Sequence, residues 1–175
     1  STQSRSSAAS DVYKRQNYKQ KNPEKSVVDT GKNVSQDIVY TVKTWAQTID
    51  ADRQQRTIYR IEDTLDPKAT TTADQVKIVG DKYEKGTDYN VAVDGQKVVI
   101  TFTKDGVKKI INGEEISAEI TANVKEMPEG GILKNTAVQI ENNPNNVQEE
   151  KKKPTNDVET CLLYTSDAAD DLLCV

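Results

Sequence analysis

The sequence predicts an all-β sandwich, two antiparallel sheets in a single domain with disordered tails. Three observations predict it. Short runs rich in Val, Ile, Thr and Tyr alternate apolar with polar positions, the pattern of a half-buried strand. Glycine and proline punctuate the chain at short intervals, as the closely spaced turns of an immunoglobulin-like sandwich require. No segment sustains the period of an amphipathic helix.

The first element opens at "PEKSVV", where Lys25 and Val27 share a face at the head of a strand. Residues 37–45 ("DIVYTVKTW") and 56–65 ("RTIYRIEDTL") are rich in β-branched and aromatic residues, which suit a pleated, half-buried surface. In the second of these, alternation puts Tyr59, Ile61 and Asp63 on one face and Ile58, Arg60 and Glu62 on the other. The first face is the more apolar, so Asp63 is expected to point inward. Residues 75–79, 88–93 and 96–103 supply three further strands. Asp94-Gly95 between the last two is a strong hairpin signal, because a tight primed turn needs positive φ. Residues 114–124 alternate cleanly, with Ile116, Ala118, Ile120 and Ala122 on one face. The last predicted strand, 133–140 ("LKNTAVQI"), places Asn135 in phase with Ala137, while Val138 and Ile140 fall on the opposite face. That strand therefore carries a bulge near Ala137 or is covered on both sides.

Both ends read as something other than domain. "SSAASDVYKRQ" near the start and "CLLYTSDAAD" near the finish are similar to translations of the two strands of one transposase adapter used in sequencing libraries. Residues 1–16 and 161–175 are accordingly expected to be adapter-derived. Residues 17–24 and 142–160 are polar and read as linkers around a domain at 25–141, the form of one bead in a tandem array. Removing the segments at the two ends takes away Arg5, Asp11, Lys14, Arg15, Asp167, Asp170 and Asp171, which moves the formal charge from −4 to near −3. It also removes both cysteines, Cys161 and Cys174, so no disulfide is argued from them.

The remaining composition excludes several functions. Charge is mixed and spread out, without the basic stripe of a nucleic-acid binder. No apolar run is long enough to span a bilayer. The absence of histidine removes the commonest general base and metal ligand together, so a multiple-turnover hydrolase is not expected. Asp50, Asp52 and Asp29 are ordinary acids of polar loops, and neither a metal nor a cofactor is expected. With one Trp and one Phe, the core must be built mainly from aliphatic residues. A thin core of that kind gains much from an extra covalent restraint.

Three residues carry such a chemistry. Lys25 and Asp63 are both candidates for burial, and Asn135 opens the final predicted strand. Desolvation lowers a lysine's pKa and raises an aspartate's, which favours neutral amine and neutral acid. A neutral amine is a nucleophile. A protonated Asp63 could polarise the Asn135 carboxamide and shuttle protons as ammonia leaves, forming a Lys25–Asn135 isopeptide bond. Asp63 could instead cap the turn at Thr64-Leu65, with Glu62 as the alternative acid.

In order along the chain, "NPEKSVVDTGKNV…DIVYTVKT", "YRIEDTLDP", "GTDYNVAVDGQKVVITF", "LKNTAVQI" and "TNDVET" resemble the isopeptide-forming domains of Gram-positive surface adhesins. The likeness is to the C-terminal domains of antigen I/II-type adhesins and to the related fimbrial shaft domains. It implies a bond between Lys25 and Asn135, assisted by Asp63. It also implies a stalk module that crosslinks itself once and is not otherwise an enzyme. The expected setting is extracellular and cell-wall anchored, with signal and anchor outside this segment. The expected partners are neighbouring domains of the same surface protein, with host or bacterial surface ligands gripped through other domains. A ligand-binding adhesin domain and a plain spacer without a crosslink remain open as alternatives.

Overall fold

The computed structural model describes residues 20–27, 32–33, 37–164 and 171–172. The expectations for residues 1–16, 165–170 and 173–175, and for Asp29, lie outside those residues.

In chain order the strands are β1 (Glu24–Val27), β2 (Lys32–Asn33), β3 (Asp37–Trp45), β4 (Tyr59–Thr64), β5 (Ala69–Thr70), β6 (Val76–Ile78), β7 (Tyr89–Asp94) and β8 (Lys97–Phe102). A short helix α1 (Lys104–Lys108) precedes β9 (Glu115–Val124), β10 (Ile132–Asn135), β11 (Ala137–Asn143), β12 (Asn146–Pro154), β13 (Val158–Tyr164) and β14 (Asp171–Leu172). One sheet runs β1-β3-β9, with β5 and β6 sharing the far edge of β9. A second runs β12-β11-β4-β8-β7. A smaller group forms on β13, which pairs antiparallel with β10 and β14 and parallel with β2.

The core lies where the inward faces meet. Ile38, Tyr40, Val42 and Thr44 of β3 stand in register with Ala122, Ile120, Ala118 and Ile116 of β9. All eight are buried, and two large residues sit opposite alanines. Across the sandwich, Tyr59 and Ile61 of β4 and Val98, Ile100 and Phe102 of β8 complete the packing. Phe102 meets the rings of Tyr59 and Tyr83 edge-on at 5.2 and 5.0 Å between centroids. Such contacts add to the burial of apolar area, which is the main stabilising term.

The predicted hairpin forms one residue further along than expected. Its final ladder pair is Asp94–Lys97, so Gly95 and Gln96 make the turn, with Gly95 at φ +59°. Helix α1 has no counterpart in the sequence reading because a single turn is too short to show a period. Thr103 caps it, its Oγ1 accepting the Gly106 N–H at 3.1 Å. Gly106 is required there, since a Cβ would lie 1.9 Å from the Asp88 carbonyl oxygen.

The linkers need correction. Residues 142–160 are largely strand, not linker. β12 is an edge strand whose residues are mostly exposed, so it lacks the apolar alternation that marks a half-buried strand. Its backbone pairing with β11 and the Arg60–Glu150 ion pair at 2.5 Å hold it in place. β13 does alternate, with Val158, Thr160 and Leu162 inward, but a boundary drawn at 160 cut that pattern in half. Residues 161–164, set aside as adapter-derived, thus pair within the fold, and Cys161 is disulfide-bonded. At the front, Pro23 is buried and Gln20 donates to the Trp45 carbonyl at 2.6 Å, so residues 20–24 also belong to the domain.

Candidate crosslink site

Three strands from three different sheets meet at the predicted triad. Lys25 is the one wholly inward residue of β1, opposite Val42 on β3. Asp63 lies on β4, in register with Val98 and Ala137 on its two sides. Asn135 ends β10, opposite Val158. Thr136 then separates β10 from β11 as the chain passes from one sheet to another. The parity conflict noted in the sequence is resolved there: Asn135, Ala137 and Gln139 all face inward, and Ile140 is covered on the outer face. Its register neighbours there are Arg60 and Lys152, whose aliphatic stems can cover apolar surface.

The three side chains are almost fully removed from water, with Lys25 at 3%, Asp63 at 1% and Asn135 at 4% exposure. The Lys25 Nζ lies 2.5 Å from Asp63 Oδ2 and 4.3 Å from the centre of the Tyr40 ring. Among the described residues, Asp63 Oδ1 and both polar atoms of Asn135 have no hydrogen-bond partner. The carboxamide is nonetheless close enough to Asp63 and to the Tyr40 hydroxyl to favour their ionised forms. Each buried orphan costs about 1–3 kcal/mol, so this is an expensive arrangement for a purely structural pocket.

Burial lowers the Lys25 pKa to about 8, against the opposing pull of Asp63. Burial also raises that of Asp63, against the charge and hydrogen bond of Lys25 and the Asn135 carboxamide. Both shifts move toward a neutral amine beside a neutral acid. Burial likewise pushes the Tyr40 hydroxyl up to about 12, so it stays protonated.

Other candidates fall elsewhere. Glu62, the alternative acid, points to the outer face, where it accepts from Arg60 Nε at 3.2 Å. Asp50 closes its own turn by accepting the Asp52 N–H at 3.2 Å. Asn135 is not on the last strand, as the sequence reading had it, since β11, β12 and β13 follow it.

A second buried charge cluster escaped the sequence. Arg56 pairs with Glu141 at 3.1 Å, the two side chains 4% and 5% exposed. Glu141 also accepts from Gln20 and Gln139, each at 2.9 Å, and from the Gln47 N–H at 3.1 Å. The available signal was Glu141 sharing inward parity with Ala137, a charge on a core face that has to be paired.

These features define a β-sandwich with a buried lysine–aspartate–asparagine cluster between its sheets. No protein-family model matches the chain. Over 82 residues it is 37% identical to the fimbrial subunit type 2 of Actinomyces naeslundii, a match covering 45% of this chain and 15% of that protein. The structure of the full-length major pilin SpaD from Corynebacterium diphtheriae superposes with a TM-score of 0.69 at 32% identity, covering 85% of this chain and 38% of that one. The Actinomyces fimbrial adhesin FimA superposes with a TM-score of 0.64 at 29% identity, covering 79% of this chain and 56% of that one. The chain thus spans well under two thirds of the length of each. Its fold is that of a pilin β-sandwich domain, and the proteins it resembles are structural subunits of Gram-positive pili and fimbriae, not enzymes. These similarities support the fimbrial group named from the sequence. Among the described residues no helix is long and apolar enough to cross a membrane.

Proposed function

We infer that this domain is a stalk module of a pilus-like surface protein, closed by a self-formed isopeptide bond between Lys25 and Asn135. The single observation that carries the reading is the buried Lys25–Asp63 contact at 2.5 Å beside a carboxamide with no hydrogen-bond partner among the described residues.

The chemistry balances without any outside reagent. The ion pair exchanges a proton to become a neutral Lys25 amine and a protonated Asp63. The acid hydrogen-bonds to Asn135 Oδ1, and the amine attacks Asn135 Cγ. Asp63 then relays one proton from the attacking nitrogen to Nδ2. The Cγ–Nδ2 bond breaks, ammonia leaves, and an amide joins the two side chains. Contact between amine and amide supplies the effective concentration that lets an unreactive pair react.

The bond would tie β1 to β10. Tension arriving through β1 would cross it directly into β10. A crosslink of this kind resists reducing agents and suits a module held under load between neighbouring domains on a cell surface. We also propose an adapter origin for residues 1–16 and 161–175 on the resemblance of both ends to one oligonucleotide, although residues 161–164 pair within the fold. Sequencing the source locus across both junctions tests it. For the bond, the test is intact mass: the wild-type chain should lack one ammonia, and Lys25→Met, Asp63→Ala and Asn135→Ala should each restore the full mass. A wild-type chain at full calculated mass leaves a plain spacer.

A further inference from the structure

The turn joining β12 to β13 holds both reacting strands through two consecutive residues. The Asn156 side chain closes on the Lys25 backbone at two points. The Lys25 N–H donates to Asn156 Oδ1 at 2.8 Å, and Asn156 Nδ2 donates to the Lys25 carbonyl at 3.0 Å. On its other edge Lys25 pairs with β3, so this carboxamide takes the place of a neighbouring strand. Thr155 does the same for the segment that carries the amide. Its N–H donates to the Ala137 carbonyl at 2.8 Å, and its Oγ1 accepts the Ala137 N–H at 2.9 Å. Ala137 lies two residues beyond Asn135 and stands in register with Asp63.

Four hydrogen bonds from one dipeptide therefore fix the Lys25 backbone relative to both the acid and the amide. We propose that Thr155-Asn156 is a positioning clamp for the crosslink, setting the approach of the Lys25 amine to the Asn135 carbonyl carbon. The proposal rests on the crosslink reading above. Neither residue touches the reacting atoms. Lysine has a long, flexible side chain, and pinning its backbone from both edges limits where the amine can reach. A misplacement near 1 Å can slow such a reaction by about a hundredfold.

The test uses the full chain, synthesised cell-free into denaturant so that no bond has formed, then diluted into buffer well below its melting temperature. Far-UV circular dichroism gives the folded fraction, and intact mass follows ammonia loss with time. Thr155→Val keeps the shape but loses the acceptor, Thr155→Ser keeps the hydroxyl, and Asn156→Ala loses both carboxamide contacts. Per folded molecule, the valine and alanine variants should react about ten- to a hundredfold slower, and the serine variant within about twofold of wild type. A merely structural turn would lower the melting temperature and leave that rate unchanged. Asn156 is exposed, so Asn156→Ala decides the matter even where Thr155→Val does not fold; wild-type speed in Asn156→Ala overturns the clamp. If the wild-type chain itself loses no ammonia, the crosslink reading fails and the clamp falls with it. If wild type reacts and the variants keep pace, the clamp alone is wrong.

Discussion

Replacing Asn135 with alanine separates a crosslinked domain from a plain one by magnitude and by sign. If the bond forms, it closes a loop of 110 positions (135 − 25), and its loss frees that loop in the unfolded chain. By the chain-entropy argument used for disulfides, the loss is about 4–5 kcal/mol for a loop of this length. At about 2–4 °C per kcal/mol for a chain of this size, the melting temperature should fall by about 8–20 °C. Little else is lost, because among the described residues neither polar atom of Asn135 has a hydrogen-bond partner and the freed Lys25 amine can pair with Asp63. Without a bond, the same substitution removes two unsatisfied buried atoms and leaves a small cavity. Those effects oppose one another and should sum to within about 1 kcal/mol of zero. Thermal melting by circular dichroism or calorimetry reads the difference. A melting temperature within about 3 °C of wild type, or above it, would refute the reasoning.

Asp63→Ala should slow ammonia loss by at least about a hundredfold, as removal of a general acid–base group does, whereas Glu62→Ala should leave it unchanged; time-resolved intact mass reads both. The rate should also be bell-shaped in pH. The reactive state, neutral amine with protonated acid, holds as many protons as the ion pair, so the two interconvert without exchange with solvent. Above about pH 8 the pair loses its last shared proton as Lys25 titrates, and the rate should fall. It should fall again on the acid side, below the raised pKa of Asp63. A rate that keeps climbing above pH 8 would mean that a free amine suffices without the acid. Away from the crosslink, Glu141→Ala leaves Arg56 buried without its partner and should cost about 3–5 kcal/mol, a melting shift of about 6–20 °C. A shift of only a few degrees would show that the cluster is solvated in solution.

The sequence made the central strands legible because each has one dry face and one wet one. Ile116 to Val124 alternate as written, and Tyr59, Ile61 and Asp63 point inward as period two requires. The same rule placed Asp63 on the core face and Glu62 outside it. It failed on β12, where nearly every residue is exposed and only backbone pairing defines the strand. Parity alone cannot show that the chain changes sheets at Thr136, and within one strand Asn135 and Ile140 point to opposite faces. The roles of Thr155 and Asn156 were hidden in a polar stretch read as linker. Their function lies in contacts to residues 18 and 131 positions away, which no local pattern reports.

Everything about the site turns on whether the Lys25 amine and the Asn135 carboxamide become one amide. Intact mass of the purified wild-type chain, followed by peptide mapping of the branched Lys25–Asn135 product, measures this most directly. The account predicts a mass short by one ammonia and a branched peptide joining the two segments. A full calculated mass, with Lys25 recovered as an unmodified residue, would contradict it.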